Sequence, residues 1–210
     1  MLTLIKREME DNIAYFVAAI IASITLVFTV LYTAYNFEHE ETRAISFALG
    51  TPFVILLITG LYLMGGSQMY NDKSKKISAF LSTLPVSRNQ IFLARISAGL
   101  LAILILLIPP AITGQILLNT YNPAYPIYPY YTIEIFISLF LMAFAIYCIG
   151  LMSGFHSNKI YQGIGIIMCL ILLPLIFIKG FGLQLSIILL LFIAASLTFT
   201  WKKFIKAPLI

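Results

Sequence analysis

The chain has 210 residues, 61% of them hydrophobic and only 10% charged, where soluble domains run nearer half apolar and a quarter charged. A soluble fold of this size cannot hide so much apolar surface, so lipid is the expected solvent and a water-soluble enzyme or binding domain is excluded. The net charge of +5 does not point to nucleic acid, because the basic residues fall in short gaps between apolar runs, as in the cytoplasmic loops of membrane proteins.

The expected fold is all-α: one transmembrane domain over 1–210, with about six spans near 13–35, 45–66, 94–118, 133–154, 160–178 and 183–201. Each run approaches the roughly 20 helical residues that cross a hydrocarbon core, where the backbone must satisfy its own hydrogen bonds. The apolar run from Ile13 is too long for the core of a signal peptide, and Glu8, Glu10 and Asp11 precede it, so it reads as a retained first span.

The first gap holds Glu38, His39, Glu40, Glu41 and Arg43. This cluster reads as a solvated outer loop, with cation binding as the sharper alternative. The second gap, from Gln68 to about Ala94, is the longest polar stretch and carries Lys73, Lys75, Lys76 and Arg88. Within it Ile77, Phe80, Leu81 and Leu84 fall at i, i+3, i+4 and i+7, one apolar stripe of a helix. Ser78, Ser82 and Thr83 fill the polar face. A helix near 72–84 is too short and too polar to span, so it is expected to lie along the inner membrane face.

Pro85 ends that helix, since the residue before a proline is pushed out of the helical region. Ser87 is a good N-cap with Gln90 three residues on, as in a capping box, and Val86 and Ile91 are spaced as a hydrophobic staple. The segment therefore reads as a short amphipathic helix, a sharp corner at Leu84-Pro85, and a capped start to the third span.

Pro109-Pro110 lies inside the third span and predicts a kink or a break, because proline removes a donor and clashes with the preceding turn. A structural kink and a broken helix on a substrate path both remain open. The gap from Asn119 to Thr132, rich in tyrosine and proline, suits an interfacial aromatic belt, with ligand stacking as the alternative. In the fourth span Gly150 and Gly154 have the small-xxx-small spacing that lets helices approach closely. Cys148 and Cys169 lie in apolar runs and read as packing residues, not as a disulfide or a metal site.

The fourth gap lies around His156 to Lys159, the fifth is Lys179 to Gly182, and the tail brings Lys202, Lys203 and Lys206. Six spans put both termini and the second and fourth gaps on one side. That side then receives every basic residue except Arg43 and Lys179. The positive-inside rule makes it cytoplasmic, in a protein of the cell (plasma) membrane.

The second gap and its flanks resemble the permease subunits of ATP-binding-cassette transporters, type-2 exporter family. Those proteins commonly carry an acid, a basic or glycine-containing stretch, an apolar run, then a Leu-Pro-Val/Ile-Ser-Arg corner and a later basic residue. Here Asp72 stands at the acidic position, FLSTLPVSR from Phe80 to Arg88 matches the corner, and Arg95 stands at the later basic position. The start, LIKREMEDN, is similar to the amphipathic helix that leads into the family's first span. The chain departs where the family often has Gly-Thr, here Lys76-Ile77, and where it has an acid within the helix, here Ala79.

The resemblance implies a dimer, with itself or a similar chain, plus two separate ATPase subunits that hold ATP and magnesium. The helix near 72–84 would be the coupling helix that docks on the ATPase. Its stripe Ile77, Phe80, Leu81 and Leu84 would be the docking surface, and Pro85 and Ser87 would fix the elbow. Arg88 would pair with acids on the ATPase or with lipid phosphate, and Asp72 and Arg95 would flank the interface. The chain has no Gly-x-x-x-x-Gly-Lys-[Ser/Thr] phosphate loop of its own.

Three rivals stay open. An intramembrane enzyme needs paired carboxylates, a metal site or an activated nucleophile, yet the only histidines, His39 and His156, fall on opposite sides. An ion-coupled transporter buries ionisable residues on its path, and no span holds a central one, so none is expected to be buried. A non-transporting membrane scaffold would bind a partner without an ATPase. The uncharged spans fit an apolar or amphipathic cargo without naming it.

Overall fold

The computed structural model describes residues 2–35, 57–70, 87–121, 128–155, 159–179 and 182–206. These residues form seven helices: α1 (Leu2–Asp11), α2 (Ile13–Tyr35), α3 (57–70), α4 (Arg88–Tyr121), α5 (Tyr128–Gly154), α6 (Lys159–Lys179) and α7 (Leu183–Lys206). Four of them are long and apolar enough to cross a membrane, over Ile13–Tyr32, Arg88–Leu117, Ile133–Gly154 and Leu183–Ile205. They coincide with the first, third, fourth and sixth expected spans. Helix α6 lies over the fifth, and α3 over the C-terminal part of the second. The rest of that second span and the helix expected near 72–84 lie outside the described residues.

Helix α1 is amphipathic. Ile5, Glu8, Met9 and Asn12 repeat at i, i+3, i+4 and i+7 on the side turned to the bundle, while Thr3, Lys6, Glu10 and Asp11 are exposed. Asn12 makes the corner into α2. Its side-chain amide donates to the Glu8 carbonyl at 2.8 Å, which closes α1. Its own carbonyl accepts the Tyr15 N–H at 2.9 Å, which opens α2.

Helix α5 is the centre of the bundle, buried at every residue from Leu141 to Leu151. Helices α4, α6 and α7 pack around it, and α2 packs on α4. Helix α7 turns Leu185, Leu189, Ile193, Ser196 and Thr200 inward and leaves Ile187, Ile188, Leu190 and Leu191 exposed. Helix α2 likewise exposes Ile13, Val17, Ile20, Ile21 and Ile24. An outer surface of large aliphatic side chains is stable in lipid and not in water.

The small-residue spacing of α5 meets α3. A Cβ on Gly150 would overlap the Tyr62 carbonyl oxygen, and one on Gly154 would overlap the Gly66 carbonyl oxygen. The two backbones touch directly, as expected where small residues replace the missing hydrophobic drive between membrane helices. Cys148 and Cys169 are free and buried.

Two expectations sharpen. Helix α4 runs through Pro109 and Pro110 as one helix, which removes the break and leaves the kink. The prolines deprive the carbonyls of Ile105 and Leu106 of their N–H partners, while the Thr113 hydroxyl supplies an added donor to the Pro109 carbonyl at 2.9 Å. Membrane helices tolerate proline through such local adjustments. The tyrosine-rich gap is also shorter than expected, because α4 continues to Tyr121 and α5 begins at Tyr128. Pro129 then sits in the first turn of α5, where its missing N–H costs nothing.

Candidate functional site

Helix α3 is described to residue 70 and α4 begins at Arg88, and Met69 on α3 lies beside Arg95 on α4. Asp72, Ile77, Phe80, Leu81, Leu84 and Pro85 lie outside the described residues, as does Val86 of the expected staple. What the structure describes is the residues on either side of them.

The start of α4 is the capping box read from the sequence. The Ser87 N–H donates to Gln90 Oε1 at 3.1 Å, and the Gln90 N–H donates to Ser87 Oγ at 3.3 Å. Two N–H groups that the first turn leaves without helical partners are thereby satisfied. Arg88 reaches across to α7, its Nη1 donating to the Ile205 carbonyl at 2.6 Å. Beside it Trp201 Nε1 donates to Asn89 Oδ1 at 3.2 Å, and the rings of Phe92 and Phe204 lie 5.7 Å apart. The first turns of α4 are thus tied to the last turns of α7.

Two turns into α4, Arg95 is buried, with 1% of its side chain exposed. Its Nε lies 3.4 Å from Oε1 of Glu8 on α1, itself 15% exposed. Its Nη1 lies 3.4 Å from the sulfur of Met69 on α3, and the guanidinium stands 5.4 Å from the centre of the Phe204 ring on α7. The Arg95 carbonyl lies 2.9 Å from the hydroxyl of Tyr147 on α5. That hydroxyl also lies 2.6 Å from Oε1 of Gln68 on α3. The Tyr147 ring covers Gly99, where a Cβ would overlap it. Gly99, one turn beyond Arg95, makes room for this.

The result is a hub in which α1, α3, α4, α5 and α7 meet around one cation. Burying an arginine is costly in an apolar interior, and the Glu8 carboxylate, the Phe204 ring face and the Met69 sulfur offset that cost. This corrects the expectation that no ionisable residue is buried. It also places the Arg95 side chain inside the bundle, paired with Glu8. Arg88 is half-buried against Ile205, and Ser87 is exposed as the cap. The amide nitrogen of Gln68 is buried without a hydrogen-bond partner among the described residues, as is the hydroxyl of Ser138.

Glu8, Gln68, Met69, Tyr147 and Phe204 were not singled out from sequence. Glu8 carried a signal: it is the one acid on the apolar face of α1. Gln68 and Tyr147 sit within or beside apolar runs, where a polar group signals a partner on another helix, but spacing alone does not say which.

Away from the hub, an apolar cleft of about 90 Å³ lies between α2, α3 and α4, walled by residues including Ala19, Ala22, Gly60, Leu61, Ala102 and Leu106. Compared with known proteins, the chain matches no family model, no curated protein and no solved structure.

Proposed function

We propose that this chain is the permease subunit of an ATP-driven transporter, an exporter by its sequence resemblance. It would cross the cell membrane six times with both termini in the cytoplasm. It would work as a dimer with separate ATPase subunits that bind ATP and magnesium, docked through the helix near 72–84. The observation that carries the reading is the junction of α3 and α4. Gln68 and Met69 on α3 and the first turns of α4, fixed by the Ser87–Gln90 capping box and the Arg88 contact, meet at the Arg95 hub. A force applied to the first turns of α4 reaches five helices at once through that hub.

The buried Glu8–Arg95 pair gives a second reading some weight, since ion-coupled carriers bury ionisable residues on their path. The pair favours that reading less than a mid-membrane group would. Arg95 stands only two turns inside a 34-residue helix, which is about 51 Å long at 1.5 Å per residue.

The test is a pull-down of the tagged chain in mild detergent with an ATPase assay on what co-purifies. A nucleotide-hydrolysing partner, lost in the Leu84→Asp variant, is the expected result. If no such partner appears in several detergents while uptake into vesicles follows a proton or sodium gradient, the ion-coupled reading replaces this one.

A further inference from the structure

Helix α1 is not a span. It is ten residues long, half-exposed, and joined to α2 by the single corner at Asn12. Its Lys6–Glu10 and Arg7–Asp11 pairs, at 4.0 and 3.7 Å, lie within the helix. Its charged tie to the bundle is Glu8 to Arg95. A buried ion pair adds little net stability, because desolvation offsets the attraction, but losing one partner leaves an uncompensated buried charge. Such a pair therefore selects between states more than it strengthens one. With α1 seated, both charges are out of water and matched. With α1 lifted, both regain water or lipid headgroups. Intermediate positions, with one charge buried alone, are disfavoured.

Arg95 is carried by the first two turns of α4. Its position is also fixed by Met69, Phe204 and Tyr147. We propose that Glu8–Arg95 is a latch. Helix α1 exchanges between a seated state, held by the pair, and a lifted state in which its apolar stripe lies on the membrane face. Displacement of the first turns of α4 shifts the balance by moving Arg95 away from Glu8. The coupling is reciprocal, so whatever holds α1 lifted also biases the start of α4. The role in transport rests on the coupling reading above. The latch itself does not, and it is measured with no ATPase present.

The experiment is a spin-label distance measurement on the full chain in lipid nanodiscs, with labels at Lys6→Cys and Leu93→Cys. These positions are 79% and 51% exposed, whereas the native Cys148 and Cys169 are buried. Without further changes, one narrow distance is expected. Glu8→Gln keeps the shape and removes the charge. It should add a longer, broader distance, with the lifted population raised by about tenfold or more. Glu8→Asp keeps the charge and should retain the narrow distance. Identical distributions for the Glu8→Gln variant and the parent overturn the latch. So does equal broadening in Glu8→Asp and Glu8→Gln, which makes Glu8 a packing residue. The pull-down separately decides the permease reading, so either idea can fail while the other stands.

Discussion

Replacing Gly154 by alanine asks whether the backbone contact between α3 and α5 holds the bundle together. A Cβ there would stand 2.7 Å from the Cα of Gly66 and 2.8 Å from its carbonyl carbon, whereas non-bonded carbons rest about 3.5–4.0 Å apart. Both obstructing atoms are backbone, so no side chain can rotate aside, and α5 must back away from α3 by about 1 Å. A gap of that size forfeits roughly a quarter to a half of the dispersion attraction across the contact. It also strains the bonds that bridge α3 to its neighbours, Tyr147 to Gln68 at 2.6 Å and the Tyr62 hydroxyl to the Gln162 carbonyl at 2.8 Å, each worth about 1 kcal/mol. Overpacking costs about 1–3 kcal/mol, so the expected total is about 2–4 kcal/mol. Gly114 is the control, since a Cβ there meets nothing within 4 Å. Gly114→Ala should be stabilising by about 0.5–1 kcal/mol, through lower backbone entropy in the unfolded chain. Thermal unfolding of the two purified variants in detergent should separate their midpoints by on the order of 10 °C. Midpoints within about 2 °C of each other would refute the claim that this contact is tight.

Other outcomes follow from the hub and the elbow. Tyr147→Phe strips a buried hydroxyl from Gln68 Oε1 and the Arg95 carbonyl and should cost about 1–3 kcal/mol, read in the same melt. Gln68→Met should be close to neutral, because it removes the unpartnered amide nitrogen along with the bond to Tyr147, and that hydroxyl still has the Arg95 carbonyl. A larger loss for Gln68→Met than for Tyr147→Phe would contradict this. Ser87→Ala removes the cap and should cost about 1 kcal/mol. The same change should weaken ATPase coupling in reconstituted vesicles more than it lowers the melting midpoint, if the elbow transmits force.

Four of the expected spans were legible because a hydrocarbon slab imposes a length that composition alone can meet. Their edges were legible only where local chemistry spoke. Hydropathy placed the third span from 94, since Arg88 and Arg95 lower the average. The Ser87–Gln90 capping box placed the cap at Ser87, and α4 begins at the next residue, Arg88. Gly150 and Gly154 were visible as a spacing, but their partners Tyr62 and Gly66 were not. Arg95 shows why the site resisted. Its counter-charge is 87 positions away, and a hydropathy window sees each of the two as an isolated polar residue near a boundary. At Pro109-Pro110 the sequence left a kink and a break both open, because a rule about lost hydrogen bonds does not say whether a helix breaks or adapts.

The distance along the chain between Glu8 and Arg95 also sets an order of events during synthesis. A ribosome adding roughly 5–20 residues per second delivers the arginine about 4 to 17 s after the glutamate, given their separation of 87 positions. Through that interval Glu8 lacks Arg95, and its carboxylate rests where water and headgroups solvate it. Helices α5 and α7, whose Tyr147 and Phe204 complete the hub, arrive later still. Helix α1 is therefore made well before the elements it packs against, and its ion pair can close only after α4 has followed it.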